Sequence, residues 1–173
     1  MVTLDDDLRT EGPPEQEFNA GIAARLPKKD VASAALLRDE NGRILLIDPT
    51  YKPDWVMPGG IVEQDEDPLS GCERELREEL GLDLPVGRLL VADWVPRHGV
   101  WQDSVKFIFD GGVLRPAQIA AMQLQAEEVV SAQFVTLAQA KPHLRPSVFR
   151  RLEAALRALD DGTAGFLRYG RWT

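Results

Sequence analysis

Apolar and polar positions change rhythm several times along this chain, and each rhythm predicts an element. Residues 31–37 form an apolar run, and 43–47 form a second one. Asp39-Glu40-Asn41-Gly42 lies between them, so the pair reads as a β-hairpin turning on Asn-Gly. A loop with Pro49 and Pro53 follows, then Pro58-Gly59-Gly60. From Pro68 the period changes to that of a helix: Leu69, Cys72, Leu76 and Leu80 make one stripe. Asp67 is placed to cap that helix and Gly81 to end it. Strands are predicted at 88–95 and 105–109; in the second, Val105, Phe107 and Phe109 alternate with Lys106 and Ile108. Residues 115–127 read as one helical turn and a loop, and 133–137 as the last strand. Val148, Phe149, Leu152, Ala155, Leu156 and Leu159 then define an amphipathic helix. Strands mixed with helices imply an α/β (α+β) domain whose mixed sheet is covered by helices.

Composition narrows this picture. A chain of 173 residues with 44% hydrophobic content suits one domain with a real core. Residues 1–22, polar and acidic with Pro13-Pro14, are expected to be a loose leader ahead of a single domain at 23–173. The net charge of -8 argues against a long nucleic acid as partner but leaves room for a small anionic substrate carried by a metal ion. Cys72 is the one cysteine, so no internal disulfide forms, and its place on the apolar stripe makes it core filler. The first residues lack the basic and apolar regions of a secretory signal, and no run suits a membrane span; a cytoplasmic location is expected.

The chemistry concentrates on the helix at Pro68. Glu75, Glu78 and Glu79 fall within an arc of about 100° beside the apolar stripe. Three carboxylates at such spacing repel one another. A solvated face screened by Arg74 and Arg77 is the plain account; a divalent cation with oxygen ligands is the other.

The wider segment GIVEQDEDPLSGCERELREELGL, residues 60–82, matches G-x5-E-x7-R-E-U-x-E-E-x-G-U, where U is apolar. Chance agreement at one starting point is about 10⁻⁹ at ordinary residue frequencies. The segment resembles the Nudix box without mismatch. The resemblance implies a Nudix-like α/β/α sandwich and a Mg2+-dependent hydrolase of pyrophosphate bonds, with Mn2+ able to stand in. Glu75, Glu78 and Glu79 would be metal ligands, joined by the Gly59 carbonyl. Arg74 would orient Glu75, and Glu66 would brace the loop. One departure is Asp65, where the family often has glycine. Many relatives add a glutamate about six residues before an aromatic that opens the last strand; Glu128 stands so before Phe134, with Glu127 the alternative. Glu75 is assigned as the general base, with Glu128 its rival.

The box does not name the substrate. Lys52 is a candidate for phosphate, and Trp55, Trp94, Trp101 and His98 for a nucleobase; each has an ordinary core or solvent role as its alternative. Pro96 is near the spacing of a proline in ADP-ribose-cleaving relatives. The pattern of the coenzyme A branch is absent, and no zinc ribbon precedes the box. The expected substrate is a small nucleoside diphosphate linked to another moiety: a nucleotide-sugar, ADP-ribose or a (d)NTP. Isoprenoid or sugar diphosphates, and a non-catalytic nucleotide-binding module, are the alternatives. A homodimer is left open.

Overall fold

The computed structural model describes residues 3–13 and 16–173, with only the backbone given at 4 and 5. Part of the expected leader, including Pro14, lies outside the described residues. Its described part forms a short helix, α1 (Leu4–Thr10), held by a capping box on Thr3. Every described side chain from 3 to 20 is exposed, so this segment builds local structure without joining the core. A single turn, α2 (Ile22–Arg25), follows.

The body is an eight-stranded mixed sheet with helices on both faces. Its strands are β1 (Asp30–Asp39), β2 (Ile44–Pro49), β3 (Gly59–Ile61), β4 (Leu89–Val95), β5 (Ser104–Leu114), β6 (Val129–Val135), β7 (Gly165–Arg168) and β8 (Arg171–Trp172). They are ordered β6-β2-β1-β5-β4-β7-β8, with β3 also paired to β1. The β1/β5 and β4/β7 pairs are parallel. The predicted hairpin forms: Gly42 takes φ +74°, and the Asp39 carboxylate accepts from the Asn41 and Arg43 amides. β1 and β2 share one registered pair, Arg38 with Ile44, and then diverge. Beyond that point β1 pairs instead with β3, through Ala32, Ser33 and Ala34. This divergence opens the sheet where the glycines lie.

The helix α3 (Pro68–Leu80) begins and ends as its residues dictate. Asp67 Oδ1 accepts from the Leu69 and Ser70 amides, and Gly81 at φ +67° turns the chain out. Cys72, Leu76 and Leu80 are fully buried against β1, β2 and β5; Leu69, in the first turn, stays partly exposed. Burial pushes the Cys72 thiol up to about 12, as befits a core side chain. On the opposite face α6 (Pro146–Asp161) packs Leu152, Ala155 and Ala158 over Leu36, Leu90, Ile108 and Leu167. The short α4 (Pro116–Ala120) is the expected helical turn, and α5 (Leu137–Ala140) runs into a 3₁₀ turn at Lys141–His143.

Two expectations need correction. The strand predicted at 133–137 is β6, which starts at Val129 because its first residues pair across a bulge with Asp48 and Pro49. Nor is it last. β7 and β8 form a C-terminal hairpin, β7 adding to the sheet beside β4.

Candidate functional site

Arg74 is the hub of the acidic helix face. Its guanidinium forks onto Glu66, with Nε and Nη2 each 3.0 Å from a carboxylate oxygen. Nη1 donates to Glu75 at 3.0 Å and Glu78 at 2.8 Å, and Nη2 also reaches the Ile61 carbonyl at 2.9 Å. Five such contacts fix the plane of a mostly buried guanidinium, and with it the Glu75 carboxyl. Glu66 also accepts from the Glu63 amide, which ties the box loop to the same node.

Glu75 and Glu79 turn toward β3. Gly60 has no Cβ, and one built there would overlap the Glu75 carboxylate, so glycine makes the room that Glu75 occupies. Gly59 sits at φ +139°, beside Ser33 and Ala34, where only glycine fits. Its N–H donates to Glu79 Oε2 at 2.8 Å. Glu79 is 3% exposed. Burial, then repulsion from Glu75 and Glu128, pushes its carboxyl up to about 8, against the Gly59 hydrogen bond and Lys52, which hold it down. Glu75 is raised chiefly by burial and further by Glu78 and Glu128, with Arg74 opposing.

Glu128 joins them from the far side of the chain. Its carbonyl accepts from the Thr50 amide at 2.9 Å, and the Thr50 hydroxyl holds the Glu127 carbonyl at 2.8 Å. Gln123 and Gln125 dock on the C-terminal end of α3 through the Leu80 and Glu79 carbonyls. The Glu128 carboxylate thereby comes within electrostatic reach of Glu75 and Glu79. Tyr51, which the sequence did not mark as a site residue, lies within electrostatic reach of all three: burial and these carboxylates raise its phenol. Glu78 is different. Half exposed, it lies on the rim and bonds to Arg74.

The donors are hard oxygens, poorly compensated by charge, and they suit a hard divalent cation. Among the described residues, no three acidic, histidine or cysteine side chains are grouped closely enough to hold a metal ion by themselves. The arrangement is an open rack whose remaining ligands must come from elsewhere.

A cleft of ≈ 590 Å³ adjoins the rack at Gly59 and Gly60, which line it together with Lys52, Trp55, Lys106 and Arg151. Of the sequence candidates, Lys52, Trp55, His98 and Trp101 line it, as does Pro96. Trp94 does not; its indole donates to Asp103. Trp55 stacks on His143 at 4.0 Å and 14°, which fixes its plane. His98 and Trp101 close a small bridge at the exposed mouth. Lys106, Arg145, Arg151 and Tyr169 are lining residues that periodicity did not mark.

A family model for the NUDIX domain matches residues 28–156, well over half of the chain, and so takes in the rack and all of the cleft lining except Tyr169. The chain belongs to the Nudix family. The human m7GpppN-mRNA hydrolase NUDT17 is 31% identical over 173 residues, covering 94% of this chain and 48% of that protein; the chain thus spans just under half its relative's length. Among solved Nudix-fold structures, the MutT protein of Methanosarcina mazei Go1 superimposes with a TM-score of 0.63 at 24% identity, covering 79% of this chain and 98% of that one. The E. coli ORF135 protein gives 0.60 at 27% identity, covering 76% and 93%. No helix among the described residues of this Nudix chain is long and apolar enough to cross a membrane.

Proposed function

We propose that this Nudix pyrophosphohydrolase performs Mg2+-dependent hydrolysis of the pyrophosphate bond in a nucleoside diphosphate linked to another moiety, of the nucleotide-sugar, ADP-ribose or (d)NTP type. The observation that carries the reading is the placement of Glu75 and Glu79 against Gly60 and Gly59, within electrostatic reach of Glu128, where those glycines line a cleft that also holds cations and aromatics. Glu75, Glu78, Glu79 and the Gly59 carbonyl would hold the metal, with Mn2+ able to replace it. Such an ion, when bound, offsets the diphosphate charge and lowers the pKa of a water. Glu75, aimed by Arg74, takes the proton of the attacking water; Glu128 is the rival base. Lys52 holds a phosphate oxygen, and Trp55 and His98 take the nucleoside.

The test is a panel assay of phosphate and nucleotide release with Mg2+, Mn2+ or chelator. It includes nucleotide-sugars, ADP-ribose, (d)NTPs and isoprenoid diphosphates. Capped dinucleotides belong in it because of the likeness to the human hydrolase. Metal-dependent cleavage confined to nucleoside diphosphate derivatives is expected. Turnover of isoprenoid diphosphates alone, or binding without turnover, overturns the reading.

A further inference from the structure

The cleft holds a positive charge that the protein itself does not answer. Lys106 lies on β5, two residues before the buried Ile108, and so on the α6 face of the sheet. Its cross-strand neighbours are Ala32 on β1 and Asp93 on β4. Asp93 would be its natural partner, since opposite charges facing each other across a ladder attract. Yet Asp93 is taken. Its Oδ2 accepts from Arg151 Nε at 2.7 Å and forms an ion pair with Arg151 Nη2 at 2.7 Å, and its Oδ1 accepts from the Gly170 amide at 2.9 Å. Arg145, the other arginine of the cleft, is held by Asp54 at 2.5 Å. Lys52 stands nearer the acidic rack, within reach of Glu79. Among the described residues Lys106, half-buried, makes no ion pair or hydrogen bond, and unlike Lys52 it has neither a carboxylate of the rack within reach nor an aromatic ring under its ammonium. A cation taken partly out of water without a counter-charge costs free energy, which an anion arriving with a ligand would recover. Burial, then Arg151 and Lys52, hold its ammonium below the ordinary lysine range; Asp30 and Asp93 act weakly against them.

We propose that Lys106 selects substrates bearing a second anionic group, a phosphate or a carboxylate, on whichever moiety flanking the scissile diphosphate, nucleoside or sugar, enters the cleft. This rests on the diphosphate hydrolase reading, which puts the diphosphate between the rack and Lys52. A substrate extending past Lys52 along the cleft then meets Lys106. A neutral sugar or base leaves that lysine uncompensated; an oxyanion satisfies it.

Two substrate pairs isolate the effect: UDP-glucose against UDP-glucuronate, and ADP-ribose against ADP-ribose bearing a 2′-phosphate on its adenosine. Each pair differs only in the anion, carboxylate in one and phosphate in the other. Steady-state kinetics with Mg2+ and tryptophan-fluorescence binding titrations with chelator are run on wild type, Lys106→Met and Lys106→Arg. Wild type should favour the anionic member of at least one pair by roughly tenfold or more, the scale of a contact to a charged group. Lys106→Met should bring the preference below about twofold, mainly through KM, and Lys106→Arg should keep most of it. The ratio within one preparation does not depend on its folded fraction. Equal use of both members by wild type, unchanged preference in Lys106→Met, or no binding of either anionic compound overturns the inference. Turnover without preference sinks this inference alone; a Lys106-dependent binding preference with no turnover of any diphosphate sinks the hydrolase reading alone.

Discussion

The Gly59 amide donates to Glu79 Oε2, so the backbone of β3 holds the most deeply buried carboxyl of α3. That single hydrogen bond does not offset burial and two neighbouring carboxylates, and the carboxyl rests at about 8 without metal. An unfolded chain returns it to the ordinary 4.5. Between those values the folded metal-free protein binds a proton that the unfolded chain does not. Stability of chelated protein should therefore fall as pH rises from about 4.5 to about 8, by up to a few kcal/mol. Melting curves in chelator across that range check it. Glu79→Gln should flatten the decline, and millimolar Mg2+ should raise the melting temperature of wild type most at the alkaline end. Parallel declines in wild type and Glu79→Gln would assign the pH dependence to other groups.

Catalysis should depend on the same face. Glu75→Gln and Glu79→Gln keep size and helix propensity and remove one charge each. Both proteins should fold, and turnover should drop by about 10²-fold or more. Arg77→Gln is the control, because the Arg77 side chain pairs, among the described residues, with the exposed Asp83 and with no acid of the rack; its rate should stay within about threefold of wild type. Near-wild-type rates in both glutamate variants would make the rack an ordinary charged surface.

Much of the site was legible because its signals are local. Asp67, Pro68 and Gly81 mark the ends of α3, and the box resemblance points to Arg74 as the residue that orients Glu75, a contact present in the structure through Nη1; the fork of Arg74 onto Glu66 was not foreseen. What escaped depends on distant partners. β7 has only Leu167 fully buried and exists through parallel pairing with β4, far away in sequence. β6 extends back to Val129 because Pro49 waits there, which no local pattern announces. Lys106 shares the strand face of Ile108, and periodicity says nothing of its partners. Only the packing of α6, which spends Asp93 on Arg151, leaves it as an unpaired cation in a cleft.

Arg74 offers a test of positioning as distinct from charge. Lysine keeps the positive charge but cannot fork onto Glu66 while also reaching Glu75, Glu78 and the Ile61 carbonyl. Arg74→Lys should lower kcat by tenfold or more with a smaller change in KM, because the base is displaced rather than removed. It should also lower the melting temperature, since a mostly buried node loses hydrogen bonds. Equal kinetics in Arg74→Lys and wild type would reduce Arg74 to a counter-charge.

Gly60 separates stability from catalysis most sharply. A Cβ at this position meets the Glu75 carboxylate, not backbone, and the end of a glutamate side chain can swing aside at little cost. Gly60→Ala should therefore fold with a melting temperature close to wild type. The same swing carries the Glu75 oxygens away from Glu79 and Glu128 and strains the contact to Arg74. A displacement of the order of 1 Å in a reacting group costs on the order of 10²-fold in rate. Turnover should fall to that extent while Glu79, held by Gly59, keeps its place. Glu75→Gln and the double variant Gly60→Ala with Glu75→Gln complete the cycle. If Gly60 acts only by making room for Glu75, the double variant should be no slower than Glu75→Gln alone. If the two losses multiply, Gly60 serves something else, such as the approach of the substrate's phosphates to the backbone.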